Sequence, residues 1–441
     1  MRILMVSAAV LPFWKCGVAT VVDQLRIELH RQGHEVALFA LDNGMHFRQD
    51  TDFLSDGTPH YMTVEELGDS FFLEDSLAGA AHIRWKFSDC LQHFKPDVVH
   101  FHTPQYFPLC LISKAHGYGV KTVVTLHDWW WICPTQFFSP QAGERCAGPN
   151  GINCQMCIKK NGYLTSIYKR WKSGVAQVEE STDRFVCVSR ILEKDIITAK
   201  PYLSKKLSVI PNAVAVEPLS EREWAGPISF AFLGGESQIK GYDQVIRGFL
   251  KLNENDPPWR LFIYGCTPVR WTVRSIFSKI KRYFLHPLKL AQKINQKYII
   301  PKVQRGEHAQ IFHKPPFSAD ERGEILQNVQ VVLVFSLVQE SFSLATYEAM
   351  ANGCCVITTP CGGPAEVVED GVNGILLKDF TSDSLTEAVR RMLADPPLVR
   401  RLQHGAQVTA ERFCNVRQVT EQYLEVYADG KTGADRAGKI K

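Results

Sequence analysis

Short, largely apolar runs punctuate this chain, and between them apolar residues recur every three to four positions. A run of the first kind reads as a strand buried on both faces of a parallel sheet; the longer period reads as a helix laid on that sheet. In the first half the runs are Arg2 to Ser7, Val36 to Ala40, Val98 to His102, Lys121 to Leu126, Arg184 to Val188 and Leu207 to Pro211. Val18 to Arg31 has helical spacing and Gly33 turns the chain back, so a βαβ unit opens the sequence. Pro211 to Pro227, with Pro218 inside it, predicts a linker. Strands then resume at Ile228 to Leu233, Arg260 to Tyr264, Ala309 to Lys314, Val331 to Phe335 and Cys355 to Thr359. Helices are predicted from Lys240 to Leu252, from Ser318, from Ser382 to Ala394, and over Arg401 to Tyr427. The expected organisation is α/β: a domain over 1–212, a second over 225–410, a terminal helix over 411–428 and a disordered tail over 429–441.

The stretch from Val331 to Leu377 concentrates the chemistry. Its first strand leads to Glu340, Ser341 or Ser343 can N-cap the helix that follows, and Gly353 stops that helix. Glu340 and Glu348 lie eight residues apart, about 12 Å along a helical rise. Two carboxylates at that spacing suit a ligand rich in hydroxyls, since each accepts from a vicinal pair. A solvated acid on an amphipathic helix is the plainer explanation, but Glu340 sits where open α/β sheets bind ligands. Earlier, the strand Ile228 to Leu233 runs into Gly234-Gly235 and Lys240, a strand, glycine loop and helix able to cradle phosphate. His127 ends the strand Lys121 to Leu126, again at the mouth of a sheet, with Asp128 to orient it or to begin the next loop.

Composition narrows the class. A chain of 441 residues with 45% hydrophobic and 22% charged residues is globular and long enough for two domains. Net charge of +4 implies no global attraction to nucleic acid. No apolar run is long enough to span a bilayer, and the apolar start, Ile3 to Trp14, is broken at Pro12 and reads as a strand, so a cytoplasmic protein with reduced thiols is expected. Asp50-Thr51-Asp52 has the form of a metal-chelating DxD but follows no strand, and reads as solvated loop. The loop 129–160 holds Cys133, Cys146, Cys154 and Cys157; a structural zinc clip and four free thiols both fit. In the same loop, Trp129 to Trp131 and Phe137-Phe138 either wall an acceptor pocket or pack the loop. The span 267–306 contains ten Lys and Arg and no acid, with aromatic and aliphatic residues interleaved at helical spacing. That pattern reads as a membrane-surface segment at the inner face; a basic helical excursion packed on its own domain is the alternative.

Glu340 and Glu348, followed by AMANG, VITT, Gly362-Gly363, Glu366 and the turn from Gly371 to Gly374, resemble the signature of the family 4 glycosyltransferases. The resemblance implies the GT-B fold, two Rossmann-like domains facing across a cleft, and retaining transfer from a UDP- or GDP-sugar to a saccharide or lipid-linked acceptor, with polysaccharide or exopolysaccharide synthesis as the setting and no catalytic cofactor. It implies that His127 touches the transferred sugar, Lys240 the phosphates, Glu340 the sugar and Glu348 the ribose. Gly17, Gly234, Gly235, Ser341, Phe342 and Ser343 would complete the donor site. The last helix would cross back to the first domain. Two departures stand out: Cys16-Gly17 replaces a Gly-Gly pair, and Gly235 stands where the family commonly has an arginine, for which Arg247 or the basic span would have to substitute. A sugar-nucleotide epimerase of the same architecture and a non-catalytic partner subunit are the alternatives.

Overall fold

A computed structural model describes residues 1–42, 58–64, 78–138, 165–216, 226–266, 310–317 and 319–429, apart from 9, 12–15 and 59, together with the single positions 146, 148, 154, 157 and 224. The DxD triplet, the basic span 267–306 and the tail after Asp429 lie outside the described residues.

The first lobe is built on β1 (Arg2–Val6), β2 (Glu35–Asp42), β3 (His60–Val64), β4 (Val98–Phe101), β5 (Lys121–Leu126), β6 (Arg184–Cys187) and β7 (Leu207–Val209). Its helices are α1 (Gly17–Arg31), α2 (Ala78–Phe94), α3 (Cys110–Gly117), α4 (Thr165–Glu179) and α5 (Arg190–Ala199). The second lobe has β8 (Ile228–Phe232), β9 (Trp259–Tyr264), β10 (Ile311–Lys314), β11 (Val331–Val334), β12 (Cys355–Thr358) and β13 (Gly374–Leu376). Its helices are α6 (Tyr242–Phe249), α7 (Ala319–Gln327), α8 (Leu344–Ala351), α9 (Gly363–Val367), α10 (Ser382–Ala394) and α11 (Pro396–Cys414); α12 (Val416–Ala428) ends the fold.

Both sheets are parallel, in the orders β3-β2-β1-β4-β5-β6-β7 and β10-β9-β8-β11-β12-β13. Each chain segment builds outward from its first strand, then returns to that strand's other side: β1 pairs with β2 and β4, and β8 with β9 and β11. Such a reversal opens a crevice at the carboxyl ends of the two flanking strands. In the second lobe the connections leaving β8 and β11 carry Lys240 and Glu340; in the first, the connection leaving β1 ends at Gly17, the first residue of α1, and those leaving β4 and β5 carry His102 and His127. The topology alone therefore gathers these side chains at two facing crevices.

Two predicted boundaries shift for physical reasons. Lys240 belongs to a 3₁₀ turn over Gln238–Lys240, and α6 starts only at Tyr242, because Gly241 takes φ 78° against the Phe335 carbonyl, where a Cβ would not fit. The terminal helices break at Asn415, whose side chain caps α12 by accepting from the Arg417 and Gln418 amides. α12 then packs on the first lobe, with Val419, Tyr423 and Tyr427 in one core with Ile3, Met5 and Val36. Lys121, buried at the start of β5, donates from Nζ to the Val426 carbonyl at 2.6 Å and to that of Asp429, placing a cation on the helix's terminal carbonyls.

Candidate active site

Glu340 is stitched to the glycine pair by backbone before its side chain does anything. Its amide donates to the Cys361 carbonyl at 3.2 Å, and its carbonyl accepts from Gly363 at 2.7 Å. A Cβ on Gly363 would lie 2.7 Å from both the Ser341 oxygen and the Phe342 Cα, and one on Gly362 would strike the Glu340 carbonyl. The glycines are what let the two loops touch. The fixed carboxylate then pairs with Lys240 Nζ; Glu340 is 12% and Lys240 43% exposed.

The helical rise behind the estimate of about 12 Å does not apply over the whole span, because Glu340 precedes the helix in a strand-like bridge to Gly362 and α8 begins at Leu344. Each acid instead has its own cation. Glu348, almost buried, pairs with Arg322 of α7. Burial raises the Glu348 pKa, with Arg322 opposing. Arg322 escaped sequence reading because it lies 26 residues upstream in a helix without a motif.

Neither candidate serine caps α8 through its side chain. Ser343 occupies the N-cap position with φ 69°, an unusual backbone for a non-glycine residue, and makes no side-chain hydrogen bond to the first turn. Ser341 Oγ reaches across the lobes and donates to the His127 carbonyl. Phe342 is buried and stacks on Tyr347, centroids 4.2 Å apart. A Cβ on Gly17 would come 2.9 Å from Leu344 Cδ1, so the first residues of α1 and α8 confront one another across the cleft.

In the β8 loop, Gly235 has φ 57°, and a Cβ there would meet the Gly265 carbonyl at 2.7 Å. Its amide is already engaged, donating to Tyr264 at 2.9 Å. Gly235 thus allows a close approach of two loops and offers no free amide; an arginine does not fit this backbone. Arg247 is no substitute, since it is exposed in the last turn of α6, the end away from Lys240. Gly234 is equally confined, a Cβ there coming 2.9 Å from Lys240 Cβ.

His127 sits half-buried at the end of β5, and burial lowers its pKa to about 4. Its Nε2 lies 3.2 Å from Nδ1 of His102, at the end of β4. Asp128 does not orient it: its Oδ1 accepts from the Trp130 amide at 2.7 Å and caps the turn Trp129–Trp131. Burial raises the Asp128 pKa to about 6. Among the described residues the three tryptophans act as packing: all are buried, and Trp129 and Trp131 donate to Asp195 at 2.7 Å and Glu179 at 2.9 Å. Phe138 is buried against Trp129, whereas Phe137 is exposed.

Cys133, Cys146, Cys154 and Cys157 are half-buried, and among the described residues no three metal-ligating side chains come together. No described helix is long and apolar enough to cross a membrane. Beside Gly362 an open hollow of about 540 Å³ is lined by Arg190, Lys194, Gln339, Glu366 and Phe380. There the Glu366 carboxylate, from α9, accepts from the Arg190 and Ile191 amides at 3.0 Å each and caps α5 of the other lobe.

Comparison with known proteins follows the same division into lobes. The profile of Glycosyltransferase Family 4 matches residues 16–218, and that of Glycosyl transferases group 1 matches 225–409. A D-inositol 3-phosphate glycosyltransferase of Streptomyces bingchenggensis is 35% identical over 127 residues, 29% of this chain and 28% of that protein, so the match spans little of the relative's length. A glycogen synthase of Mycobacterium tuberculosis is 22% identical over 98% of this chain and 96% of its own. In fold, the chain is similar to Anabaena Alr3699/HepE, solved in complex with UDP, with a TM-score of 0.64, 16% identity, and coverage of 97% and 100%.

Proposed function

This chain belongs to glycosyltransferase family 4, and on that premise we propose that it moves a sugar, with retention of configuration, from a nucleotide-sugar donor to a saccharide or lipid-linked acceptor. The observation that carries this reading is the Lys240–Glu340 pair at the reversal point of the second sheet, tied to His127 of the first lobe through Ser341. The pair is open to solvent on its lysine side, Lys240 being 43% exposed and Glu340 12%. A diphosphate, with more charge than one carboxylate, competes with Glu340 for the Lys240 ammonium, and sugar hydroxyls then replace the lysine on the nearly buried carboxylate. Glu340 is then free to accept from sugar hydroxyls, so donor binding arms the acid that holds the sugar. The confronting starts of α1 and α8 add positive partial charge where the leaving diphosphate would lie. Glu348 keeps one oxygen on Arg322 and presents the other to ribose hydroxyls.

In the transfer step, the bond from the anomeric carbon to the phosphate oxygen breaks. The acceptor oxygen bonds to that carbon on the same face, and its proton passes to the departing phosphate oxygen. Closure of the lobes excludes water from the reacting carbon. The donor would be a UDP- or GDP-sugar; the fold relative in complex with UDP supports the first of these. A lipid-linked acceptor would give the basic span 267–306 a surface to meet. The test is Glu340→Ala. Turnover of UDP- and GDP-sugars should be lost while the melting temperature changes by only a few degrees; undiminished turnover refutes the assignment.

A further inference from the structure

Three histidines form a file behind the cleft: the buried His100 and His102, on and after β4, and the half-buried His127 after β5. Burial lowers the pKa of each, that of His100 to about 3, so all three rings are neutral and carry one N–H apiece. His100 has both nitrogens matched, Nδ1 with Tyr427 Oη and Nε2 with Thr125 Oγ1, each at 2.7 Å. His102 packs against it, ring centroids 3.9 Å apart, and turns Nδ1 toward His127 Nε2 at 3.2 Å. The His102 and His127 rings are inclined by only 24°, close to the in-plane geometry of a ring hydrogen bond. Two nitrogens remain. His102 Nε2 is buried without a partner among the described residues. His127 Nδ1 also has none among them, on a ring that is half-buried and not sealed off, so it is the nitrogen left for a ligand.

One proton is shared in the His102–His127 contact, and its location decides both outer nitrogens. On His127, it would leave His102 with an N–H on Nε2, buried and facing no acceptor, the rarer and costlier kind of orphan. On His102, it leaves Nε2 as a bare lone pair, and His127, accepting at Nε2, must carry its own proton on Nδ1. We propose that His102 is a positioning residue that holds His127 in the Nδ1–H tautomer, so that His127 meets the transferred sugar as a hydrogen-bond donor. The inference rests on the reading of His127 as a sugar contact. It also assigns His127 no part in taking the acceptor proton, because its open nitrogen is already protonated.

Nitrogen-15 labelling of histidine, with long-range proton–nitrogen correlation near pH 7.5, reads the tautomer directly in the intact protein. His127→Gln identifies the His127 signals by their loss. His127 should show a protonated Nδ1 and an unprotonated Nε2; a proton on Nε2, or averaging of both tautomers, overturns the proposal. In parallel, His102→Leu should lower kcat for nucleoside diphosphate release from a UDP- or GDP-sugar by about 10- to 100-fold, with KM little changed, as expected for one lost orienting hydrogen bond. His102→Asn, which keeps an amide N–H near the place of Nδ1, should recover much of that loss. Full activity in His102→Leu also overturns the proposal. Should the leucine variant not fold, the spectrum of the unsubstituted protein still decides. If the unsubstituted protein turns over no nucleotide sugar, the transferase reading fails, while the tautomer spectrum still stands or falls alone.

Discussion

At the residue scale, the site is made of charges that find partners before any ligand arrives. Lys240 rests on Glu340 and Arg322 on Glu348, and under the proposed function the acids keep an oxygen or an exchangeable partner for the donor. Asp128 differs, because its pKa is raised by burial to about 6 and its partners are neutral, the Trp130 backbone amide at 2.7 Å and Gln105 Nε2 at 3.4 Å. Its folded pKa lies above the unfolded value of 3.8, so its stabilising contribution is full below about pH 4 and lost as pH rises through 6. Asp128→Asn, which can still accept from Trp130, should raise the melting temperature above pH 7 and change it little below pH 4. An equal shift at both pH values would contradict the burial. The acids Glu340 and Glu348, Lys240 and the strand-end His127 were legible in the sequence because each follows an apolar run or lies in a local signature. Arg322 and His102 were not, since they meet their partners only through tertiary packing, 26 and 25 residues away.

At the scale of elements, two loops and one helix decide the geometry. The β8 loop takes positive φ at Gly235 because Gly265, itself at φ 96°, backs directly onto it. Restoring the family's arginine there should therefore not strengthen donor binding. Gly235→Arg is expected to lose at least about 1 kcal/mol of stability from backbone strain alone; denaturant unfolding and donor titration would measure both effects, and a stable variant with tighter donor binding would contradict the packing. The position of an arginine can be read from a sequence, but whether the facing backbone leaves room for it cannot. α12 anchors the second lobe's last segment on the first lobe through Tyr423 and Tyr427. Tyr427→Phe removes the hydroxyl from His100 Nδ1 and leaves a buried nitrogen unmatched, an expected loss of about 1–3 kcal/mol. Unchanged denaturant stability would show that the pair contributes nothing. Helical spacing foretold α12, while its break at Asn415 depended on a side-chain cap.

At the scale of the molecule, two repeats of one topology face each other and are clasped across the cleft by Ser341 on the His127 carbonyl and by Glu366 on the start of α5. The alternation of apolar runs made the two parallel sheets legible, since strands buried on both faces have no polar side to confuse with a helix. Which loops would meet was not legible, because it follows from strand order, and strand order is set by crossings that no local pattern records. The most direct test of the account is calorimetric titration of UDP and GDP into the unsubstituted protein and into Lys240→Ala. Prediction: one of the two nucleotides binds the unsubstituted protein, and the alanine variant binds it at least about tenfold more weakly, the loss of a charge-assisted contact. Equal affinity in both proteins would contradict the claim that Lys240 leaves Glu340 for the donor's phosphates.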